Sequence, residues 1–250
     1  MNLLICMITY NRLYMTRKTL KSLKETITIP HYLIVSDNNS VDGTREWLQE
    51  QKNLGVVDDI LLNSDNYYPG KACNLGWDQG LKSYPQADFM MRVDNDMKFY
   101  KGWDKQAIKY YKAFPELGQL GLDYDAIDPK TPADLEAMNK GYVSYKSQGL
   151  RYNRWPGNVG GTHIMRREIW DMGLRYDERP WEHHGSDKPT PQEDSRLSFA
   201  ILNKGYAFGH MMEKKCITMI KPEMMLKDKE YYRETMKQRG YQNVYKELYD

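Results

Sequence analysis

The sequence predicts an α/β fold, a single domain with a central, mostly parallel sheet flanked by helices and a less regular second half. Three observations predict it. Short apolar runs alternate with amphipathic stretches through the first hundred residues, dense polar turns follow the apolar runs, and 250 residues with 40% hydrophobic content suffice for one large core. A domain of that size buries roughly 70 to 75% of the surface its unfolded chain exposes.

The elements follow in order. Leu3 to Ile8 is a continuous apolar run and reads as the first strand. Leu20, Leu23 and Ile27 have helical spacing that Pro30 ends, and Tyr32 to Val35 is a second strand. SDNNSVDGT is a dense turn, after which Thr44 to Gln51 reads as a short helix and Val56 to Leu62 as a third strand. Ala72 to Leu81 is helical, Phe89 to Val93 is a fourth strand, and Trp103 to Phe114 is a helix. A β-α-β-α-β-α-β order implies a parallel sheet covered on both faces, with ligands expected beyond the carboxyl ends of its strands. Four polar loops fall there: 9–12, 37–44, 63–71 and 94–96.

Beyond residue 114 the pattern loosens. GQLGLD reads as a fifth strand, residues 124–158 are rich in Tyr, Pro, Asp and Lys, and GGTHIMRREIWDMG reads as a strand and then a short helix. Residues 176–192 are too polar and Pro-rich for regular structure and read as a loop over a site. A helix over Glu193 to Asn203 and short strands up to Ile220 follow, so the domain is expected to span 1–220 with a charged, Tyr-rich helical tail over 221–250. No internal repeat is present.

Thirty-six basic and 34 acidic residues leave a net charge of +2, too little for a general attraction to nucleic acid or anionic lipid. Cys6, Cys73 and Cys216 are widely spaced without C-x-x-C, which argues for buried free thiols and against a disulfide framework or structural zinc. The opening MNLLICMITYNR is far shorter than the ~20 residues of a membrane span and lacks a basic leader, so the chain is expected to be soluble and cytoplasmic, in its own cell or inside a host.

The chemistry begins at RVDNDM. Asp94 and Asp96 directly follow a buried apolar strand, and crowded carboxylates need water or a cation. Hard oxygen ligands over so short a span suit Mg²⁺ or Mn²⁺, which complete their shells with water and phosphate oxygens. The competing reading is a solvated acidic turn. In VSDNNSVDGT, Asp37 stands at a strand end beside a helix N-terminus, where a carboxylate can accept a base N–H or a ribose hydroxyl. As a set, ITYNR, VSDNNSVDGT, NYYPGKACNLGW, the D-x-D, GGTHIMRREIWDMGLRYDE and QEDSRLSFAILNKGY resemble the family 2 glycosyltransferases, which have the GT-A fold. The resemblance runs from residue 3 to about 210 and does not include the tail.

The resemblance implies a nucleotide-binding half over about 1–100, an acceptor-side half over about 101–220, and transfer of a sugar from a nucleoside diphosphate donor, UDP by resemblance, with inversion. It places Thr9, Tyr10, Arg12 and Asp37 at nucleotide-binding positions, with Lys71 a further candidate for nucleotide or phosphate. It puts Asp96 on Mn²⁺ or Mg²⁺ and Asp94 on the metal or the ribose. Asp194 is the expected base that deprotonates the acceptor, with Glu193 second. A pair of carboxylates stabilising a helix N-terminus is the competing reading. His210 is the candidate late metal ligand, with His183 or His184 the alternatives, against an ordinary partly buried imidazole.

Tyr67, Tyr68, Trp155 and Trp181 are placed to stack on a sugar or base, or to cap the core. KSQGLRYNRWPGN interleaves Lys146, Arg151 and Arg154 with Tyr152 and Trp155, compatible with a DNA acceptor or with a solvated basic loop. Acceptors open to such an enzyme include a glycan, a protein, a small metabolite and a modified DNA base. Two competitors are a sugar nucleotidyltransferase, whose glycine-rich phosphate loop TYNR lacks, and a catalytically silent nucleotide- or glycan-binding module, which needs no base.

Overall fold

The computed structural model describes residues 1–126, 136, 143–154, 158–179, 193–220 and 228–233. The first half runs β1 (Leu3–Thr9), α1 (Leu13–Thr26), β2 (His31–Asp37), α2 (Thr44–Asn53), β3 (Asp59–Leu62), α3 (Tyr68–Ser83), β4 (Phe89–Asp94), β5 (Met97–Phe99) and α4 (Trp103–Ala113). The second half adds β6 (Leu117–Gly121), a 3₁₀ turn (Tyr124–Ala126), the hairpin β7 (Val143–Ser147) and β8 (Leu150–Arg154), β9 (His163–Arg166), α5 (Arg167–Asp171), α6 (Glu193–Asn203), β10 (Ala207–Met211) and β11 (Cys216–Thr218).

Nine strands form one sheet in the order β3-β2-β1-β4-β9-β6-β10-β8-β7, and β11 pairs with β5 in a small second sheet. β3, β2, β1 and β4 are parallel; β9 is inserted antiparallel between β4 and β6, and β10 runs parallel to β6. The alternation in β1 shows why the first strand is apolar throughout. Leu3, Ile5 and Met7 face the core under α1, α2 and α4, whereas Leu4, Cys6 and Ile8 face the core under α3, α5 and α6.

The expected strands and helices of the first half are present, with boundaries moved: α3 begins at Tyr68 rather than Ala72, and β3 is shorter than expected. Val56 and Val57 donate their amides to the Gln51 carbonyl at the end of α2, so β3 starts only at Asp59 and the buried Val57 plugs the helix end. Residues 143–154, expected to be irregular, form the β7–β8 hairpin. Gln148 and Gly149, with φ of 48° and 76°, supply a two-residue turn, and Tyr145 stacks on Tyr152 across it at 4.7 Å. Tyr152 is fully buried and meets Phe114 edge-on at 4.8 Å, so this ring belongs to the core and is closed to a nucleic acid. Cys6, Cys73 and Cys216 are buried free thiols.

Trp155, Trp181, His183, His184 and most of the 176–192 loop lie outside the described residues. Of the tail, Lys229 to Arg233 are helical. Among the described residues no helix is long and apolar enough to cross a membrane.

Candidate active site

The carboxyl ends of β1, β2 and β4 meet, and their loops hold one another through buried side chains. Asn95, between the two aspartates, is the hub. Its Nδ2 donates to Thr9 Oγ1 at 3.1 Å, Thr16 Oγ1 at 3.0 Å and the Asn11 carbonyl at 3.3 Å, and its Oδ1 accepts from Arg12 Nη2 at 2.8 Å. Buried threonines on α1 are explained by this role: Thr16 serves Asn95 and Thr9, and Thr19 accepts the Met97 amide at 3.1 Å.

Arg12 takes left-handed backbone angles at the start of α1, φ 58° and ψ 47°, which turn its side chain toward the D-x-D. Its Nη1 lies 3.2 Å from Asp96 Oδ2, so the Asp96 carboxylate is paired with a guanidinium. Asp96 is itself buried, and its carbonyl accepts the Met219 amide at 2.6 Å. A third carboxylate stands beside this corner. Asp123, just past β6, accepts the Thr218 amide at 3.1 Å, and burial, then the charges of Asp125 and Asp96, push its carboxyl up to about 7. Sequence reasoning passed over Asp123, although its place at the end of GQLGLD was a signal.

Asp37 is fully enclosed. Its oxygens accept the Ser40 amide at 3.0 Å and hydroxyl at 2.5 Å, and burial raises its pKa. Ser40 Oγ in turn accepts the Asn11 amide at 2.7 Å, which locks the first two loops together. Asp42 caps both helices that leave them, accepting the Leu13 amide at 2.8 Å and the Thr44 hydroxyl at 2.6 Å. Thr9 is likewise enclosed. Thr9 and Asp37, expected as donor contacts, are thus enclosed behind the loops and shape the site from there. Tyr10 and Lys71 are half-exposed at its rim, the Lys71 ammonium 4.2 Å above the Tyr67 ring.

The other half of the site is organised by Arg92. This guanidinium is 3% exposed in β4, with Nε 3.1 Å from Asp94 Oδ1 and Nη1 3.5 Å from Glu193 Oε1, and the Tyr176 ring 5.2 Å away. Burial alone would lower its pKa, but Asp94, Tyr176 and Glu193 hold it well above the ordinary value. Glu193 and Asp194 open α6, in accord with the positive end of the helix dipole, and the Asp194 Oδ1 accepts the Ser195 amide at 2.8 Å. Burial, then the charge of Glu193, raises the Asp194 carboxyl to about 6. A proton acceptor poised near neutrality is what general-base chemistry requires.

Two glycines let these pieces close. A Cβ on Gly161 would lie 1.9 Å from Asp94 Oδ2, and one on Gly70 would lie 3.0 Å from the Glu193 Cγ and 2.8 Å from the Asp177 carbonyl. The N-terminus of α3, which carries Lys71, therefore abuts α6. Asn74 on α3 also donates to the Tyr176 carbonyl at 3.0 Å, and the Tyr176 hydroxyl meets His163 Nε2 at 2.9 Å.

His210 does not join the aspartates. It is buried in β10, three strand positions from β4, or about 14 Å at ~4.8 Å per strand, and lies opposite Gly121. Burial lowers its pKa to about 4, so it is a neutral core imidazole. Among the described residues no three His, Cys, Asp or Glu side chains are grouped to hold a metal ion. Of the two aspartates, Asp96 is paired with Arg12, and Asp94, paired with Arg92, has the more open side chain at 35% exposed. Carboxylate oxygen is the donor type that Mn²⁺ or Mg²⁺ takes when phosphate oxygens and water complete the shell.

Residues 4–173 match the profile described as "Glycosyl transferase family 2". No curated protein matches the chain. Among solved structures, S. aureus TarS 1-349 is similar with a TM-score of 0.64 and 17% identity, covering 95% of this chain and 65% of its own. The same TarS fragment in complex with UDP-GlcNAc has a TM-score of 0.57 and 18% identity, covering 86% of this chain and 57% of its own. Mannosyltransferase PcManGT from Pyrobaculum calidifontis, in complex with GDP-Man and Mn²⁺, has a TM-score of 0.62 and 13% identity, covering 97% and 64%. The chain thus spans less than two thirds of the length of each of these chains, and at such identities the likeness is one of fold.

Proposed function

The chain belongs to glycosyl transferase family 2, with the GT-A fold, and on that premise we propose that it transfers a sugar from a nucleoside diphosphate donor to a hydroxyl acceptor with inversion. The observation that carries this reading is the buried Arg92, which pairs with a donor-side carboxylate, Asp94, and with Glu193, the neighbour of Asp194 on the acceptor side. A binding module has no use for a base raised to about 6 at that place.

In this reading Tyr10, Arg12 and Lys71 contact the donor nucleotide, and Asp94 and Asp96 hold Mn²⁺ or Mg²⁺. The cation, when bound, neutralises charge on the diphosphate leaving group. Asp194 accepts the acceptor proton, and Glu193 beside it pairs with Arg92. Thr9, Asn95 and Asp37 hold the loops in register. A UDP-sugar is the donor favoured by the TarS complex with UDP-GlcNAc, and the acceptor proposed is a glycan. A DNA base is the weaker choice because Tyr152 is closed off in the core.

Thermal stabilisation by UDP, GDP and their sugars, each with Mn²⁺, Mg²⁺ or EDTA, tests this. Ligand at about 100 times its dissociation constant adds roughly 2.7 kcal/mol. A metal-dependent rise in Tm with one nucleotide supports the donor site, and no rise with any of them removes it.

A further inference from the structure

The tail lies beyond the matched family region, yet Tyr231 and Tyr232 pack on Arg12 at the D-x-D corner. Tyr232 is 3% exposed, and its hydroxyl accepts from Arg12 Nη1 at 3.2 Å, the same nitrogen that pairs with Asp96. The Tyr231 ring lies 4.3 Å from the Arg12 guanidinium carbon, in cation–π contact, and meets Tyr232 at 90°. Its centroid is also 6.3 Å from that of Tyr10. Asp228 anchors the segment through the Tyr14 hydroxyl on α1. Arg12 is therefore held on one side by Asp96 and Asn95 and on the other by two tail tyrosines, although its Nε is buried without a hydrogen-bond partner.

An arginine at a strained left-handed position keeps one orientation only when its surroundings fix it. We infer that residues 228–233 are a working part of the donor site, with Tyr231 and Tyr232 positioning Arg12 so that its guanidinium meets the diphosphate of the nucleotide. The inference rests on the donor-site reading above. It makes the tail tyrosines positioning residues for the leaving-group end of the donor, and it assigns the tail a role that the family match leaves open.

The test is calorimetric titration of the full chain in Mn²⁺ with UDP and GDP, and with uridine and guanosine as probes lacking phosphate. Tyr231→Leu and Tyr232→Phe should each raise the Kd of whichever diphosphate the wild type binds by about tenfold, leave the Kd of its nucleoside unchanged, and leave Tm near that of the wild type. Tyr231→Phe, which keeps the ring, should restore wild-type affinity. Unchanged diphosphate affinity in Tyr231→Leu and Tyr232→Phe overturns the inference while leaving the donor site standing. Tighter binding overturns it too, and makes the tail an obstruction. Equal losses for nucleoside and diphosphate reduce the tyrosines to structural supports. A wild type that binds neither diphosphate removes the donor-site reading together with the inference.

Discussion

Arg92 Nη1 lies 3.5 Å from Glu193 Oε1, which ties strand β4 to the first turn of α6 across the floor of the site. The same guanidinium holds Asp94, so one buried cation sets the distance between the donor and acceptor ends. Removing it leaves two carboxylates without their counter-charge in a poorly solvated place. Arg92→Leu is expected to lower the free energy of unfolding by about 3 kcal/mol or more, measured by urea denaturation at pH 7. A loss below about 1 kcal/mol would show the pair to be dispensable.

Asp194→Asn should leave nucleotide affinity unchanged and slow transfer by a factor of about 10² or more, because the amide cannot accept the acceptor proton. Single-turnover transfer from the nucleotide sugar is the readout. Undiminished transfer would move the base to another residue, with Glu193 first in line.

The pH dependence carries two signs. Transfer should increase as pH rises through about 6, the value to which burial brings Asp194, since only the deprotonated carboxylate is a base. Stability runs the other way. A carboxyl whose folded pKa is raised binds its proton more tightly when folded, so its contribution is present below about pH 4 and is lost as pH rises through about 6. Asp194→Asn should therefore be more stable than the wild type at pH 8, by about 1 to 2 kcal/mol, and equal to it near pH 4. Denaturation curves at the two pH values decide it.

Gly161→Ala places a methyl group where Asp94 Oδ2 now lies, 1.9 Å from the built Cβ. The carboxylate has to swing away from Arg92, so metal-dependent nucleotide binding should weaken by about tenfold, equivalent to ~1.4 kcal/mol. Wild-type affinity would mean that Asp94 is not a donor-site ligand.

The sequence made legible what local periodicity and loop chemistry encode. A strand buried on both faces, such as Leu3–Thr9, is apolar at every core position, and α6 announces itself by its acidic first turn. β5 escaped because it is only three residues long, and the β7–β8 hairpin because its outward residues include Val143 as well as Ser144 and Lys146 while its inward ones are tyrosines, so no alternation of apolar and polar residues marks it. The site was legible at Asp94, Asp96, Glu193 and Asp194 as residues, but not in how they connect. Arg92 sits inside an apolar run and reads as an interruption of it until β4 and α6 are brought together. His210 was misplaced because strand order, which puts β9 and β6 between it and β4, is not written in any local pattern. The contact of Arg12 with Tyr232 spans 220 positions and has no local signal at all.

The most direct test of a metal-dependent donor site is the titration of UDP and GDP into wild-type protein and Asp96→Ala, each in Mn²⁺ and in EDTA. The donor-site reading expects one nucleotide to bind the wild type only with Mn²⁺, and the variant to lose that dependence together with most of its affinity. Equal affinity in Mn²⁺ and EDTA for the wild type, or undiminished Mn²⁺-dependent binding by Asp96→Ala, would contradict it.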